Sequence, residues 1–149
     1  MITGMSSQAP QIKPLTLSDD QQSWLTERLS IAGESGLLSD PQMLADSFDT
    51  SRRDYHVRPA DDRGDASMLV NVYSAAFGEH FSRAYGLQWC LVPSEGRDEI
   101  GLFDRSTGSV LLPLATVSGR WEDPRKLPMA ELIAQTQAAL EERGVVAVD

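Results

Sequence analysis

Two histidines, one cysteine and a cluster of carboxylates are the residues of this 149-residue chain with the chemistry for proton transfer, nucleophilic attack or metal binding. Cys90 is the sole thiol, but it stands between Trp89 and Leu91 in an apolar run, where a neutral, unreactive thiol is favoured. His56 lies among charged residues and His80 in an apolar helical pattern. No second histidine or cysteine stands at ligand spacing, so no metal site and no cofactor is expected. Glu79 adjoins His80, yet adjacent helix residues diverge by about 100° and do not face each other. The neighbour of Glu79 on a helix is Arg83, four residues on, and such an exposed pair contributes only a few tenths of a kcal/mol.

Glu95, Asp98, Glu99 and Asp104 form the densest acidic group. Paired carboxylates suit acid-base chemistry, but these flank a predicted hairpin tip beside Arg97 and Arg105, so solvated turn charge is the simpler account. They are also the residues best suited to dock a basic partner. A second candidate site is a pocket between the third helix and the sheet, lined by His80, Trp89, Arg120 and Trp121. Arg63-Gly64-Asp65 matches a cell-adhesion tripeptide and is read as coincidence.

Thirteen basic and twenty-two acidic residues give a net charge of −9. The average potential repels phosphate backbones and anionic lipid, which argues against nucleic acid and membrane partners and favours a basic protein or a cationic ligand. The longest uncharged apolar run, Ser109 to Gly119, is too short and too broken by Pro113 to span a bilayer. With one cysteine and no basic-apolar leader at the N-terminus, the expected compartment is the cytoplasm.

The elements that must position these residues follow from periodicity and punctuation. Residues 1–16, with Pro10, Pro14 and no apolar period, read as a disordered tail, and 17–149 as a single globular domain. Ser18-Asp19-Asp20-Gln21 fits a capping box, opening a helix that places Trp24, Leu25 and Leu29 on one face and ends at Gly33 or Gly36. Asp40-Pro41 caps a shorter helix burying Met43, Leu44 and Phe48. From Thr50 to Gly64 charge dominates, and the stretch reads as a mobile connecting loop in which Tyr55, His56 and Val57 dock on the core.

The third helix is the longest, from Asp65 as cap to Tyr85, with Leu69, Val72, Tyr73, Ala76, Phe77, His80 and Ala84 on one face and Gly86 as its left-handed stop. Gly78 within it costs roughly 1 kcal/mol against Ala, which implies close approach of another element. Strands follow at Gln88–Val92, Asp98–Phe103 and Ser109–Leu112, joined antiparallel, the first apolar on both faces and so expected to be central. Pro113 ends the third strand, and a turn or short helix runs to Trp121. A last helix starts at Pro128, buries Met129, Leu132, Ile133, Thr136 and Leu140, and stops at Gly144. Val145 to Val148 either adds an edge strand or frays. The fold class expected is α+β, a small antiparallel sheet of about three strands packed against helices with the long third helix central.

Gly78-Glu79, Gly86-Leu87-Gln88-Trp89, Gly108-Ser109-Val110-Leu111-Leu112-Pro113-Leu114, and Val117 with Arg120 together resemble the bacterial family called domain of unknown function 3806. The likeness covers Met68 to Leu140, is carried by short motifs, and excludes the N-terminal helices. That family has no agreed activity, so the resemblance implies a fold grouping and no catalytic residue. The function expected from the sequence is a non-enzymatic protein-binding module, an immunity-type or accessory protein that masks a basic partner. The alternative is a small-ligand sensor or enzyme using the pocket between helix and sheet.

Overall fold

The computed structural model describes residues 13–94 and 96–148. The described residues form an α+β fold of five α-helices and one three-stranded antiparallel sheet. Helix α1 (Asp19–Glu34) opens on the expected capping box: Ser18 Oγ accepts the Gln21 N–H at 3.1 Å, and Gln21 Oε1 accepts the Ser18 N–H at 2.8 Å. Two orphan N–H groups are satisfied in one exchange. Helix α2 (Pro41–Val57) is capped by Asp40, whose carboxylate accepts the Gln42 N–H at 2.9 Å.

The first half of the charged stretch expected to be a mobile loop, Thr50 to Val57, is instead the second half of α2, and only Arg58 to Gly64 remains a connection. The apolar period of α2 is concealed by Arg52, which is 5% exposed and continues the face begun by Leu44 and Phe48. The Arg52 guanidinium lies 5.4 Å from the Phe48 ring centre and donates to the carbonyls of Arg120 (2.9 Å) and Lys126 (3.2 Å). An arginine in that role occupies a core position while looking polar in a hydropathy pattern. Tyr55 and His56 do pack on the core, as the last turn of this helix. Met43, expected inside, is 49% exposed.

A short 3-10 turn, Ala60–Asp62, leads to α3 (Ser67–Tyr85). Every residue from Val72 to Gly78 is buried, so this helix is covered on all sides. It packs against α1, α2 and the rest of the core, which makes it central. It starts two residues after Asp65, whose Oδ1 accepts both the N–H (2.9 Å) and the hydroxyl (2.6 Å) of Ser67. Leu69, at its outer end, is 41% exposed. Gly86 closes the helix at φ 69°, the left-handed conformation that glycine adopts without penalty.

The sheet consists of β1 (Gln88–Val92), β2 (Glu99–Phe103) and β3 (Val110–Leu111), in that order, with Trp89 opposite Leu102 and Leu102 opposite Leu111. The central strand is therefore β2, not β1 as its two apolar faces suggested. On its outer edge β1 is joined at one point: Leu15, assigned to the tail by sequence, exchanges two 2.8 Å backbone hydrogen bonds with Leu91. Residues 1–12 of that tail lie outside the described residues. Helix α4 (Pro113–Trp121) takes Pro113 at its first position, and α5 (Met129–Glu142) buries Met129, Leu132, Ile133 and Leu140. Thr136 is only partly buried. Val145 to Val148 forms no strand; Val145 is buried, and the Val148 N–H donates to the Ala84 carbonyl at 2.8 Å.

Candidate functional site

The pocket expected between the third helix and the sheet resolves into two separate places. Around Trp89 the packing is closed. A Cβ on Gly78 would land on the Trp89 ring and 2.8 Å from Pro113 Cγ, so only glycine permits this contact. Trp89 Nε1–H donates to Glu79 Oε1 at 2.9 Å, while Glu79 Oε2 accepts from Arg83 Nε at 2.9 Å. Gly78, Glu79, Trp89 and Pro113, all in the motifs quoted above, thus meet at one packing contact. His80 stacks edge-on against Phe81 at 4.8 Å, and burial holds its pKa below the usual histidine value. The Cys90 thiol is buried, which pushes its pKa up and keeps it protonated.

Trp121 and Arg120 lie elsewhere, at the end of α4. Trp121 is 4% exposed inside an aromatic cluster: Phe48 at 5.6 Å, Tyr55 at 5.4 Å, Tyr73 at 6.3 Å and His56 at 6.4 Å between ring centres. Its carbonyl is one of the last of a helix and has no partner within it. His56 supplies one, with Nε2 2.6 Å from the Trp121 oxygen. A carbonyl only accepts, so Nε2 carries the proton and Nδ1 is the free ring nitrogen. Arg52 and His56, one turn apart on α2, therefore hold the two final carbonyls of α4. Arg120 itself reaches Gln135 Oε1 at 3.4 Å, on α5.

Beside this cluster opens a cleft of about 360 Å³, between the end of α2, the start of α3 and the end of α4. Tyr55, His56 and Trp121 contribute to its wall, and Asp65, Ser67, Asn71, Ser118 and Glu122 supply carboxylate, hydroxyl and amide groups; no lysine or arginine lines it. The Ser67 hydroxyl and amide hold the Asp65 carboxyl below the usual carboxylate range, so it is ionised at neutral pH. Both of those bonds fall on Oδ1. The indole Nε1 of Trp121 is buried with no hydrogen-bond partner among the described residues. A buried donor left unpaired costs about 1–3 kcal/mol.

The acidic group proposed as a docking face is not brought together. Asp98 and Asp104 stand at opposite ends of β2, about 20 Å apart at the rise of a strand. Asp104 is 8% exposed and shapes the turn to β3, accepting the Thr107 N–H (3.0 Å) and hydroxyl (2.6 Å) on Oδ2. Asp98 is exposed and Glu99 half-buried, and Glu95 lies outside the described residues. The cleft residues Asp65, Ser67, Asn71, Ser118 and Glu122 were not singled out as a site by sequence. Only the pairing of Tyr55-His56 with Phe48 and Arg52, at helical spacing, signals that this end of α2 is structured.

Compared with family models, with curated proteins and with solved structures, the chain matches none. Among the described residues no group of three or more His, Cys, Asp or Glu is placed to hold a metal ion, and no helix is long and apolar enough to cross a membrane.

Proposed function

We propose that this chain is a binding module for a basic partner, and that the Tyr55–Trp121 cleft receives a cationic group of that partner. The observation that carries this is the cleft lining: two carboxylates, an imidazole, hydroxyls and an amide, with no lysine or arginine, on a protein of net charge −9. An ammonium or guanidinium entering it meets acceptors on Asp65, Glu122, Ser67, Asn71 and Ser118. Arg63 supports the affinity of this wall for a cation, since the chain's own guanidinium sits 5.6 Å from the Tyr55 ring centre, outside the cleft lining.

This reading moves the docking point from the hairpin carboxylates to the helix ends, and keeps the partner expected from charge. The same charge disfavours nucleic acid and anionic lipid. We place the encounter in a reducing, cytoplasmic compartment, which suits a chain whose one cysteine has no partner for a disulfide. Kinship with the domain of unknown function 3806 family rests on the Gly78, Glu79, Trp89 and Pro113 motifs and is likewise an inference of ours.

The test is a calorimetric or NMR titration with capped lysine (N-acetyl-lysine methylamide). Binding in the millimolar range is expected, weakened about three- to tenfold by Asp65→Asn with Glu122→Gln, since each partly exposed charge pair contributes up to about 1 kcal/mol. Asparagine retains the Oδ1 that accepts from Ser67, so the start of α3 is preserved. Capped lysine that fails to bind, or binds the double variant equally well, contradicts the reading.

A further inference from the structure

The two edges of the sheet are finished differently. On the outer edge of β1, Leu91 exchanges two 2.8 Å hydrogen bonds with Leu15. The opposite edge is β3. There the Asp104 N–H donates to the Ser109 carbonyl at 2.9 Å, so Leu111, opposite Leu102, is the next hydrogen-bonded position, and Val110 between them turns its own N–H and C=O away from β2. Among the described residues neither group meets a partner. An open edge of this kind is a template for main-chain pairing.

Beside that edge runs a groove of about 230 Å³, with Val110 and Leu111 on one side and α5 on the other. Its α5 wall takes Leu132 and then Thr136, Ala139, Leu140 and Arg143 at offsets of 4, 7, 8 and 11, which is one face of a helix. Arg143 is the only charged residue of the lining; it is exposed, and its guanidinium makes no hydrogen bond or ion pair among the described residues. Glu141 is turned to the Tyr85 hydroxyl at 2.7 Å, and Asp104 is buried against Thr107. Arg143 also borders the Thr107–Ser109 turn, which puts the cation at the start of β3. A strand added antiparallel to β3 ends there, and a chain terminus carries a carboxylate.

We propose that this groove receives the C-terminal residues of a partner chain that ends in an aliphatic side chain. The segment adds antiparallel to the free edge of β3 and exchanges hydrogen bonds with Val110, its last side chain covers Leu111 and Leu140, and its terminal carboxylate pairs with Arg143. The groove shares no lining residue with the cation cleft and does not depend on that reading.

The experiment titrates the full chain with acetyl-valyl-valyl-leucine, its C-terminal amide and acetyl-valyl-valyl-serine, followed by proton–nitrogen NMR. The leucine acid is expected to bind about fivefold more tightly than the amide, the increment of one partly exposed charge pair, and about tenfold more tightly than the serine peptide, the increment of one covered apolar side chain. The Val110 amide signal should shift to saturation with it. Arg143→Gln should bring the acid down to the affinity of the amide and leave the amide unchanged, and Ala139→Glu should abolish binding of the acid; both positions are exposed, so thermal unfolding should not change. Asp65→Asn with Glu122→Gln should have no effect on any of these peptides. An acid that does not bind, that binds no better than its amide or the serine peptide, that is indifferent to Arg143→Gln or Ala139→Glu, or that saturates with the Val110 signal unmoved overturns the proposal.

Discussion

Trp89 of β1 and Trp121 of α4 both pack against α3, one over Gly78 and the other beside Tyr73, and they are satisfied very differently. Trp89 is half-buried and complete: its ring fills the gap that Gly78 leaves, and its N–H ends on Glu79. Trp121 is more deeply buried and incomplete, since its ring has four aromatic neighbours and its N–H none to accept it. On the reading proposed above, the contrast separates a packing contact from a recognition site, two roles that a tryptophan in a sequence does not distinguish.

Five substitutions sharpen or break this contrast. The largest effect is expected from Trp89→Ala, which empties an aromatic site wedged against backbone and should cost about 3 kcal/mol, the lower end of the range because the ring is partly exposed. Chemical denaturation checks it, and capped lysine affinity should not change. An unfolding midpoint close to that of the parent protein would make Trp89 dispensable.

Gly78→Ala comes next. Alanine favours a helix by about 1 kcal/mol, but the added methyl must displace the Trp89 ring and Pro113, and overpacking of that kind costs about 1–3 kcal/mol. Net destabilisation is expected in thermal unfolding. Net stabilisation would mean the contact is loose.

Paired Trp→Phe substitutions isolate the N–H groups. Both shrink a ring, but Trp89→Phe also removes a bond to Glu79, whereas Trp121→Phe removes a buried donor with no partner. Trp89→Phe should therefore be the costlier by about 1 kcal/mol, after allowance for ring size by the matching Leu variants. Equal costs, or a costlier Trp121→Phe, would indicate that the Trp121 N–H is not a liability in the free protein.

The smallest effect concerns pH. The folded-state pKa of Asp65 is depressed, so its carboxylate persists as pH falls and is neutralised only below the usual carboxylate range of about 4. The difference in capped lysine affinity between parent and Asp65→Asn, about two- to fivefold at neutral pH, should hold down to about pH 4 and vanish below it. A difference already gone at pH 5 would show that Asp65 does not carry its share of the cation.

Much of this fold is legible along the chain because its signals are local. The capping box at Ser18, the Asp40-Pro41 start, Gly86, Pro113 and Pro128 each bound an element within a residue or two of its observed end. Gly78 announced its contact through its cost alone. Two features escaped because their causes are distant in sequence. The continuation of α2 depends on Arg52 reaching carbonyls at Arg120 and Lys126, which no window around Arg52 reveals. The order of the sheet depends on which strand finds partners on both edges, which the two apolar faces of β1 do not report. The cleft escaped for the same reason: its lining comes from three helix ends, and Asp65, Asn71, Ser118 and Glu122 have no common spacing. The hairpin carboxylates were legible as residues, but the strand between Asp98 and Asp104 sets them apart.

The most direct test of the division between the two tryptophans uses their indole N–H signals. Proton–nitrogen NMR resolves one for each of Trp24, Trp89 and Trp121, assigned by the Phe variants. On titration with capped lysine, the Trp121 signal should shift progressively to saturation while the Trp89 signal stays in place. A Trp89 shift with a stationary Trp121 signal would contradict the assignment of the recognition site to the Tyr55–Trp121 cleft.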